Sequence, residues 1–103
     1  MEKFIAQRNL LYSMKSEKIR HKFTVGIGLP QLVDRESASF KADDDAAVCK
    51  VVFDGLDEQD IDIYGADLLH ALALAVDIDP FLKGLNKKYD FYWLTGEPYF
   101  DEI

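Results

Sequence analysis

Apolar and polar side chains alternate along several short runs of the chain, which is the pattern of half-buried β-strands. The clearest run covers 19–29, where Phe23, Val25 and Ile27 alternate with a polar residue or glycine before Pro30 ends the run. Four further runs predict strands in the same way: 4–14, 47–53, 60–64 and 89–93.

A helical spacing of apolar residues replaces this alternation at 66–78. Asp67 falls in the first turn, where a carboxylate suits the helix dipole. A broad apolar stripe is expected to face the core: Leu68, Leu69, Leu72, Ala75 and Val76. Asp79 and Pro80 interrupt the pattern, and 81–85 predicts a further helical turn or a short second helix.

These elements predict an α+β fold in a single domain, 1–103. Four strands form an antiparallel meander, one main helix packs on it, and the last strand completes a sheet of about five strands. Strands and helices do not alternate, so a parallel doubly wound sheet is not expected. The stretch 31–45 is predicted to be irregular, apart from a brief edge strand at 37–41.

Composition and charge narrow the class of protein. With 49% hydrophobic and 30% charged residues, this chain of 103 residues has the make-up of a soluble globular domain. Its net charge of −7 is uneven, because residues 1–42 carry a net +4 and residues 43–103 a net −11. An acidic half repels a phosphate backbone, so nucleic acid is not an expected ligand. The charge favours a basic protein partner, or serves only to keep the protein soluble.

Three features predict a cytoplasmic protein without membrane association. Cys49 is the single cysteine, so no internal disulfide can form. Residues 1–8 lack the apolar core of a secretion signal. The longest uninterrupted apolar run, 71–76, is far shorter than the roughly 20 residues of a membrane-spanning helix.

Few residues have the spacing of a catalytic or cofactor site. Gly26 and Gly28 lack the third glycine and the helix of a nucleotide-binding loop, and are expected on the outer face of their strand. His21 and His70 are the candidate acid–base groups, although no nucleophile accompanies either. Cys49 shares a strand face with apolar residues and is expected to be buried and inert. No cofactor is predicted, and no Cys or His pair has the spacing of a zinc site.

Acidic residues concentrate around the fourth predicted strand. Four of them form a candidate binding surface for a basic partner: Asp57, Glu58, Asp60 and Asp62. Replacing all four with Asn or Gln is expected to slow association with that partner at low salt. The calcium-loop pattern of glycine and glutamate is absent from this segment, so no metal is predicted.

Arg8 is the polar exception on the apolar face of the first strand, and two interpretations of it stay open. If its guanidinium is buried, it needs a carboxylate partner, for which Asp67 and Glu97 are the candidates. If a β-bulge at Arg8 and Asn9 reverses the alternation, the side chain is exposed instead.

Several segments, in order along the chain, resemble a bacterial family of small domains of unknown function. They are IAQRNL at 5–10, VGIGLP at 25–30, Cys49 leading into DGL at 54–56, YGAD at 64–67 followed by the ALALA helix at 71–75, and WLTGEP at 93–98. Family members usually carry Gln where His70 stands, so the resemblance implies no shared catalytic role for His70. It implies an α+β fold in a bacterial cytoplasm and transfers no activity.

The leading functional hypothesis is a non-enzymatic interaction domain, similar to the immunity proteins and antitoxins that bind basic toxins. Its basis is the acidic second half, the lack of a catalytic constellation, and an aromatic tail, Tyr99 and Phe100, that is expected to be exposed. The alternative is a small-ligand binder or an enzyme that uses His70 and nearby carboxylates in a cleft. A third hypothesis is a homo-oligomer whose interface covers Leu74 and the last strand.

Overall fold

Six strands and two helices make up the part of the chain that the computed structural model describes, residues 3–33 and 45–100. In chain order they are β1 (Ala6–Met14), β2 (His21–Ile27), β3 (Gln31–Leu32), β4 (Ala47–Asp54), β5 (Ile61–Gly65), α1 (Leu68–Val76), α2 (Asp79–Leu85) and β6 (Tyr89–Tyr92). The predicted α+β class and antiparallel sheet are confirmed, with β3 as an additional strand.

The strand order follows the predicted meander. β1 pairs with β2, β2 with β4 and β4 with β5, while β6 pairs with the other edge of β1. β3 pairs with β4 on the edge opposite to β5, and therefore continues the line of β2 after Pro30. The prediction that 31–45 is irregular is wrong at these two residues, and the brief edge strand at 37–41 falls outside the described residues.

The hydrophobic core lies on one face of the sheet, where α1 and α2 cover it. Alternate strand residues supply most of it, as the sequence pattern predicts, because successive side chains of a strand point to opposite faces. The buried strand residues are Leu10, Phe23, Val25, Ile27, Ala47, Cys49, Val51, Phe53, Tyr89 and Phe91. Ala71, Ala75, Ile78 and Leu82 add the helical side of the core.

The face that α1 turns to the core differs from the predicted one. Ala75 is buried and Leu72 is half-buried, as expected. The prediction is wrong for three larger side chains, because Leu68, Leu69 and Val76 remain 42%, 76% and 49% exposed.

Close packing between β5 and α1 explains this orientation. A Cβ atom placed on Gly65 would lie 2.4 Å from the backbone nitrogen of Ala71, so the helix backbone rests directly against the end of the strand. Small side chains suit such a contact, and the fully buried Ala71 and Ala75, one helical turn apart, supply them. The bulkier leucines are therefore left on the outer side of the helix.

The helical segment is shorter at its start than predicted and is divided in two. Asp67 is the N-cap of α1, and its carboxylate accepts a hydrogen bond from the backbone N–H of His70 at 2.7 Å. α1 ends at Val76, and α2 starts at Asp79. Pro80 lies in the first turn of α2, where the missing N–H costs no helical hydrogen bond.

The aromatic residues near the C-terminus pack on the core, so the prediction of an exposed tail is wrong. After β6 the chain turns back beside it: the N–H of Trp93 donates to the carbonyl of Glu97 and that of Tyr99 to the carbonyl of Phe91, both at 2.9 Å. Tyr99 and Phe100 are half-buried against the core. Trp93, which was expected in the last strand, follows β6 and is 40% exposed.

Candidate functional site

The side of α1 that faces away from the sheet is apolar. Leu69, Ala73 and Val76 lie there, because successive helical residues are about 100° apart and these three fall roughly opposite to the buried alanines. All three are exposed, and we call them the outer stripe. Eight of the nine residues of α1 are apolar, His70 being the exception, so the helix has almost no polar surface to present to water.

Acidic residues lie at both ends of α1. Between Lys50 and Lys83 the sequence contains eight Asp or Glu residues and no Lys or Arg. Asp67 and Asp77 cap the two ends of α1, and both are exposed. The helix that carries the apolar stripe therefore has an exposed carboxylate at each end.

His70 completes the cap of α1. Its Nδ1 accepts a hydrogen bond from the backbone N–H of Ala66 at 2.9 Å, while its own N–H donates to Asp67. The bond from His70 N–H to Asp67 satisfies a backbone group that the start of a helix leaves without a partner, and the bond from Ala66 holds the imidazole against the residue before the N-cap. The residue is exposed, whereas the enzyme hypothesis requires it inside a cleft.

Glu58, one of the four acids expected to bind a partner, is engaged within the molecule. Its side chain is only 16% exposed, and Oε2 accepts hydrogen bonds from Tyr89 Oη at 2.8 Å and from Lys88 Nζ at 3.2 Å. The carboxylate thus connects the segment after β4 with the start of β6.

The other three predicted acids are exposed. The carboxylate of Asp60 lies 3.9 Å from Lys50 Nζ, and Asp62 pairs across the strands with Lys50. Asp57 lies in the turn after β4. Among the described residues, no group of three His, Cys, Asp or Glu side chains has a geometry that could hold a metal ion.

The contact with Glu58 shifts the acidity of Tyr89. Burial, the hydrogen bond to Glu58 and the nearby carboxylates of Glu58 and Asp57 raise the pKa of Tyr89 from 10.0 to about 12. Each of these effects favours the neutral phenol over the phenolate.

The free energy of unfolding is therefore expected to fall as the pH rises from 10 to about 12. In that window Tyr89 has lost its proton in the unfolded chain and keeps it in the folded one, so the unfolded state binds fewer protons and is favoured. The contribution is fully present below pH 10 and is worth about 3 kcal/mol. Denaturant unfolding of the wild type and Tyr89→Phe across this range measures it, and equal alkaline losses in both proteins contradict it.

Arg8 is exposed, as in the second of its two interpretations, but without the β-bulge that this interpretation required. β1 pairs with β2 over residues 6–12 without a bulge, so Arg8 keeps its place on the core face of the sheet, yet it is exposed. Within the described residues, neither Asp67 nor Glu97 forms an ion pair with it.

The partner of Arg8 is Tyr99. Arg8 Nη1 donates a hydrogen bond to Tyr99 Oη at 2.6 Å, and Tyr99 Oη donates to the carboxylate of Asp79 at the start of α2. The guanidinium carbon also lies 5.4 Å from the centre of the Trp93 ring. Burial and the bond to Asp79 raise the pKa of Tyr99, although Arg8 opposes the shift. The cluster fastens the C-terminal segment to β1 and α2.

Cys49 and Gly26 have structural roles. The thiol of Cys49 is buried, as predicted, and donates to the carbonyl of Gly28 at 3.3 Å, and burial raises its pKa. A protonated, enclosed thiol is unsuited to act as a nucleophile. Gly26 lies within β2 beneath the ring of Phe4, which an added Cβ atom would meet at 2.5 Å.

Two open grooves provide little support for a small-ligand site built around His70. One, of about 510 Å³, lies between the segment after β4 and α2, with Glu58 and Phe81 in its walls. The other, of about 380 Å³, lies beside Lys50 on the far face of the sheet. Neither groove is lined by His70.

Comparison with known proteins finds no matching family model, no matching curated protein and no matching solved structure. In the described part of the chain, no helix is both long and apolar enough to cross a membrane.

The outer stripe is the part of the site that sequence reasoning missed, because its large side chains were assigned to the core. The available signal was the near absence of polar residues from the helix, since one buried face needs fewer than eight apolar residues in nine.

Proposed function

We propose that this chain is a non-enzymatic protein-interaction domain that binds a basic protein through the outer stripe of α1. The observation that carries the proposal is the 76% exposure of Leu69 on a helix with only one polar residue. Single exposed apolar residues are common, but several adjoining ones on one helix face are typical of a binding surface. Covering them removes apolar area from water and supplies binding free energy.

The charge around α1 favours a basic partner. Every Lys, Arg, Asp or Glu side chain between Lys50 and Lys83 is negative. The electrostatic field of these acids attracts a basic protein from a distance. Asp57 and Asp62 contribute to that field, whereas Lys88 offsets the charge of Glu58 and Lys50 that of Asp60. In this proposal the acids speed association and the outer stripe holds the complex together.

The finer form of the proposal is an immunity- or antitoxin-like protein of a bacterial cytoplasm. Its support is the acidic charge, the single buried cysteine and the resemblance of the segments described above. The enzyme alternative has less support, because His70 is exposed and its Nδ1 is bonded to the backbone N–H of Ala66. The homo-oligomer alternative loses part of its interface, because residues 97–99 run beside β6.

Affinity capture with a matched pair of variants tests the proposal. Leu69→Gln removes the leucine of the stripe without changing the net charge, and Ile19→Gln makes the same kind of change at a residue outside the stripe that is 66% exposed. We expect wild type and Ile19→Gln to retain one basic protein from a lysate of the source organism. We expect Leu69→Gln to retain at least about tenfold less of that protein, as for the loss of an interface hot spot.

Both variants must first show the circular dichroism spectrum of the wild type, so that loss of binding is not loss of folding. Retention of the same partner by Leu69→Gln and wild type alike would refute the proposed surface. Recovery of an acidic or uncharged partner would refute the role given to the charge.

A further inference from the structure

We infer that the partner covers the outer stripe with a basic amphipathic α-helix that carries Lys or Arg at both ends of its apolar face. The inference rests on the proposed function and specifies the chemistry and shape of the partner. Three observations lead to it: the bonding state of the α1 backbone, the spacing of the stripe, and the position of the two flanking acids.

The backbone of α1 favours a helix over an extended segment. The N–H and C=O groups within α1 are bonded to one another, so the helix offers no free edge with which a strand could pair. An extended segment laid on the outer stripe would bring its own backbone groups against an apolar surface without partners, at a cost in free energy. A helix satisfies its backbone internally and avoids that cost.

The spacing of the stripe also suits a second helix. Leu69, Ala73 and Val76 recur at the intervals of four and three residues that form a ridge along a helix surface. The small Ala73 lies between the two larger residues, so the side chain of a facing helix can enter there. The stripe covers about two helical turns, or roughly 10 Å along the axis.

The flanking acids define the charge of the partner. Asp67 and Asp77 are ten positions apart, which corresponds to about 15 Å along the axis of α1. Asp67 caps the helix through one carboxylate oxygen, and both residues are exposed. A partner helix of similar length brings Lys or Arg to both ends, where each can pair with one carboxylate.

The same charges disfavour the other occupants of an apolar helix face. A second copy of this chain would bring two more acidic helix ends to the contact and a second net charge of −7. An anionic membrane surface would meet the same acids. A basic helix is the occupant that satisfies both the apolar stripe and its acidic ends.

Selection from a displayed library of random 18-residue peptides tests the inference, with Leu69→Gln as the counter-selection target. We expect the enriched peptides to place apolar residues at helical spacing, with Lys or Arg near both ends. Fluorescence anisotropy of one enriched synthetic peptide should show binding at least tenfold weaker to Leu69→Gln and unchanged for Ile19→Gln. A central proline in the peptide should also weaken binding at least tenfold, because it breaks the helix.

A pair of double variants with equal net charge tests the two acids. Asp67→Asn with Asp77→Asn keeps a capping side chain at 67 and should weaken binding about fivefold, as for two exposed ion pairs. Asp57→Asn with Asp62→Asn changes the total charge equally and should weaken it less than twofold. Equal losses in the two double variants would overturn the assignment of the flanking acids.

The remaining outcomes are also decisive. The helix inference would be overturned if the enriched peptides show strand-like alternation or an acidic composition, or if no peptide binds the wild type better than Leu69→Gln. In each of these cases, Leu69-dependent capture from the lysate would still support the proposed function. A dimer in sedimentation equilibrium that Leu69→Gln dissociates would identify a second copy as the occupant and overturn the inference.

Discussion

Gly65→Ala is expected to destabilise the protein by about 3 kcal/mol, whereas Gly84→Ala should leave its stability unchanged or raise it by about 0.5 kcal/mol. The two substitutions add the same methyl group in opposite surroundings. At Gly65 the new Cβ would lie 2.4 Å from the backbone nitrogen of Ala71 and 2.8 Å from its Cα. Backbone atoms cannot move aside as a flexible side chain can, so α1 must shift away from β5.

Gly84 is the matched control. It lies in α2, and a Cβ atom there has no heavy atom within 4 Å in the described structure. Alanine is the better helix former, so this variant has no steric cost and a small gain. Urea unfolding followed by circular dichroism measures both changes, and similar midpoints for the two variants would show that α1 is not packed as closely on β5 as described.

Leu82→Ala is expected to cost about 3 kcal/mol, while Leu69→Ala should change stability by less than about 0.5 kcal/mol. Leu82 has no exposed surface and anchors α2 in the core, so its truncation removes apolar contacts and leaves a cavity. Leu69 is 76% exposed, and alanine is an equally good helix residue at that position.

The comparison of these two leucines separates stability from recognition. A large loss for Leu69→Ala in the isolated protein would mean that Leu69 belongs to the core, and the outer stripe would not be a binding surface. If Leu69→Ala is stable, the loss of partner binding in the Leu69 variants is a property of the surface itself. The measurement is the same urea unfolding, made before any binding experiment.

The strands were predictable because only one face of the sheet is covered, so apolar residues recur at every second position of each strand. Phe23, Val25 and Ile27 are all buried, and the residues between them lie on the other face, which is the arrangement that the alternation indicated. The short β3 was not predictable, because two residues contain no period. β3 exists because Pro30 ends β2, while β4 extends beyond the end of β2 and pairs with the residues that follow the proline.

The orientation of α1 was not predictable from hydrophobicity. A helix with apolar residues on all sides has no hydrophobic direction, so the largest side chains were assigned to the core. Close contact decided the outcome: Gly65 admits Ala71 and leaves no room for a leucine. A rule based on size, with small residues expected beside a glycine at a strand end, would have located the outer stripe.

The polar contacts show a second limit of sequence reasoning, since their partners are distant in the chain. Arg8 bonds to Tyr99, 91 residues away, and Glu58 bonds to Tyr89, 31 residues away. The expectation that Arg8 seeks a carboxylate assumed that it is buried, but an exposed guanidinium has no such need. Tertiary structure, not local pattern, selected both partners.

The two strands that pair with β1, β2 and β6, are synthesised at different times. β2 follows β1 directly in the chain. By contrast, Lys15, the residue after β1, forms an ion pair with Asp90 of β6, which is 75 residues away. At roughly 5 to 20 residues per second, a ribosome needs about 4 to 15 s to cover that distance. During those seconds the edge of β1 that β6 later covers offers unpaired backbone groups to neighbouring nascent chains. The arrival of β6 therefore ends a period of aggregation risk as well as completing the sheet.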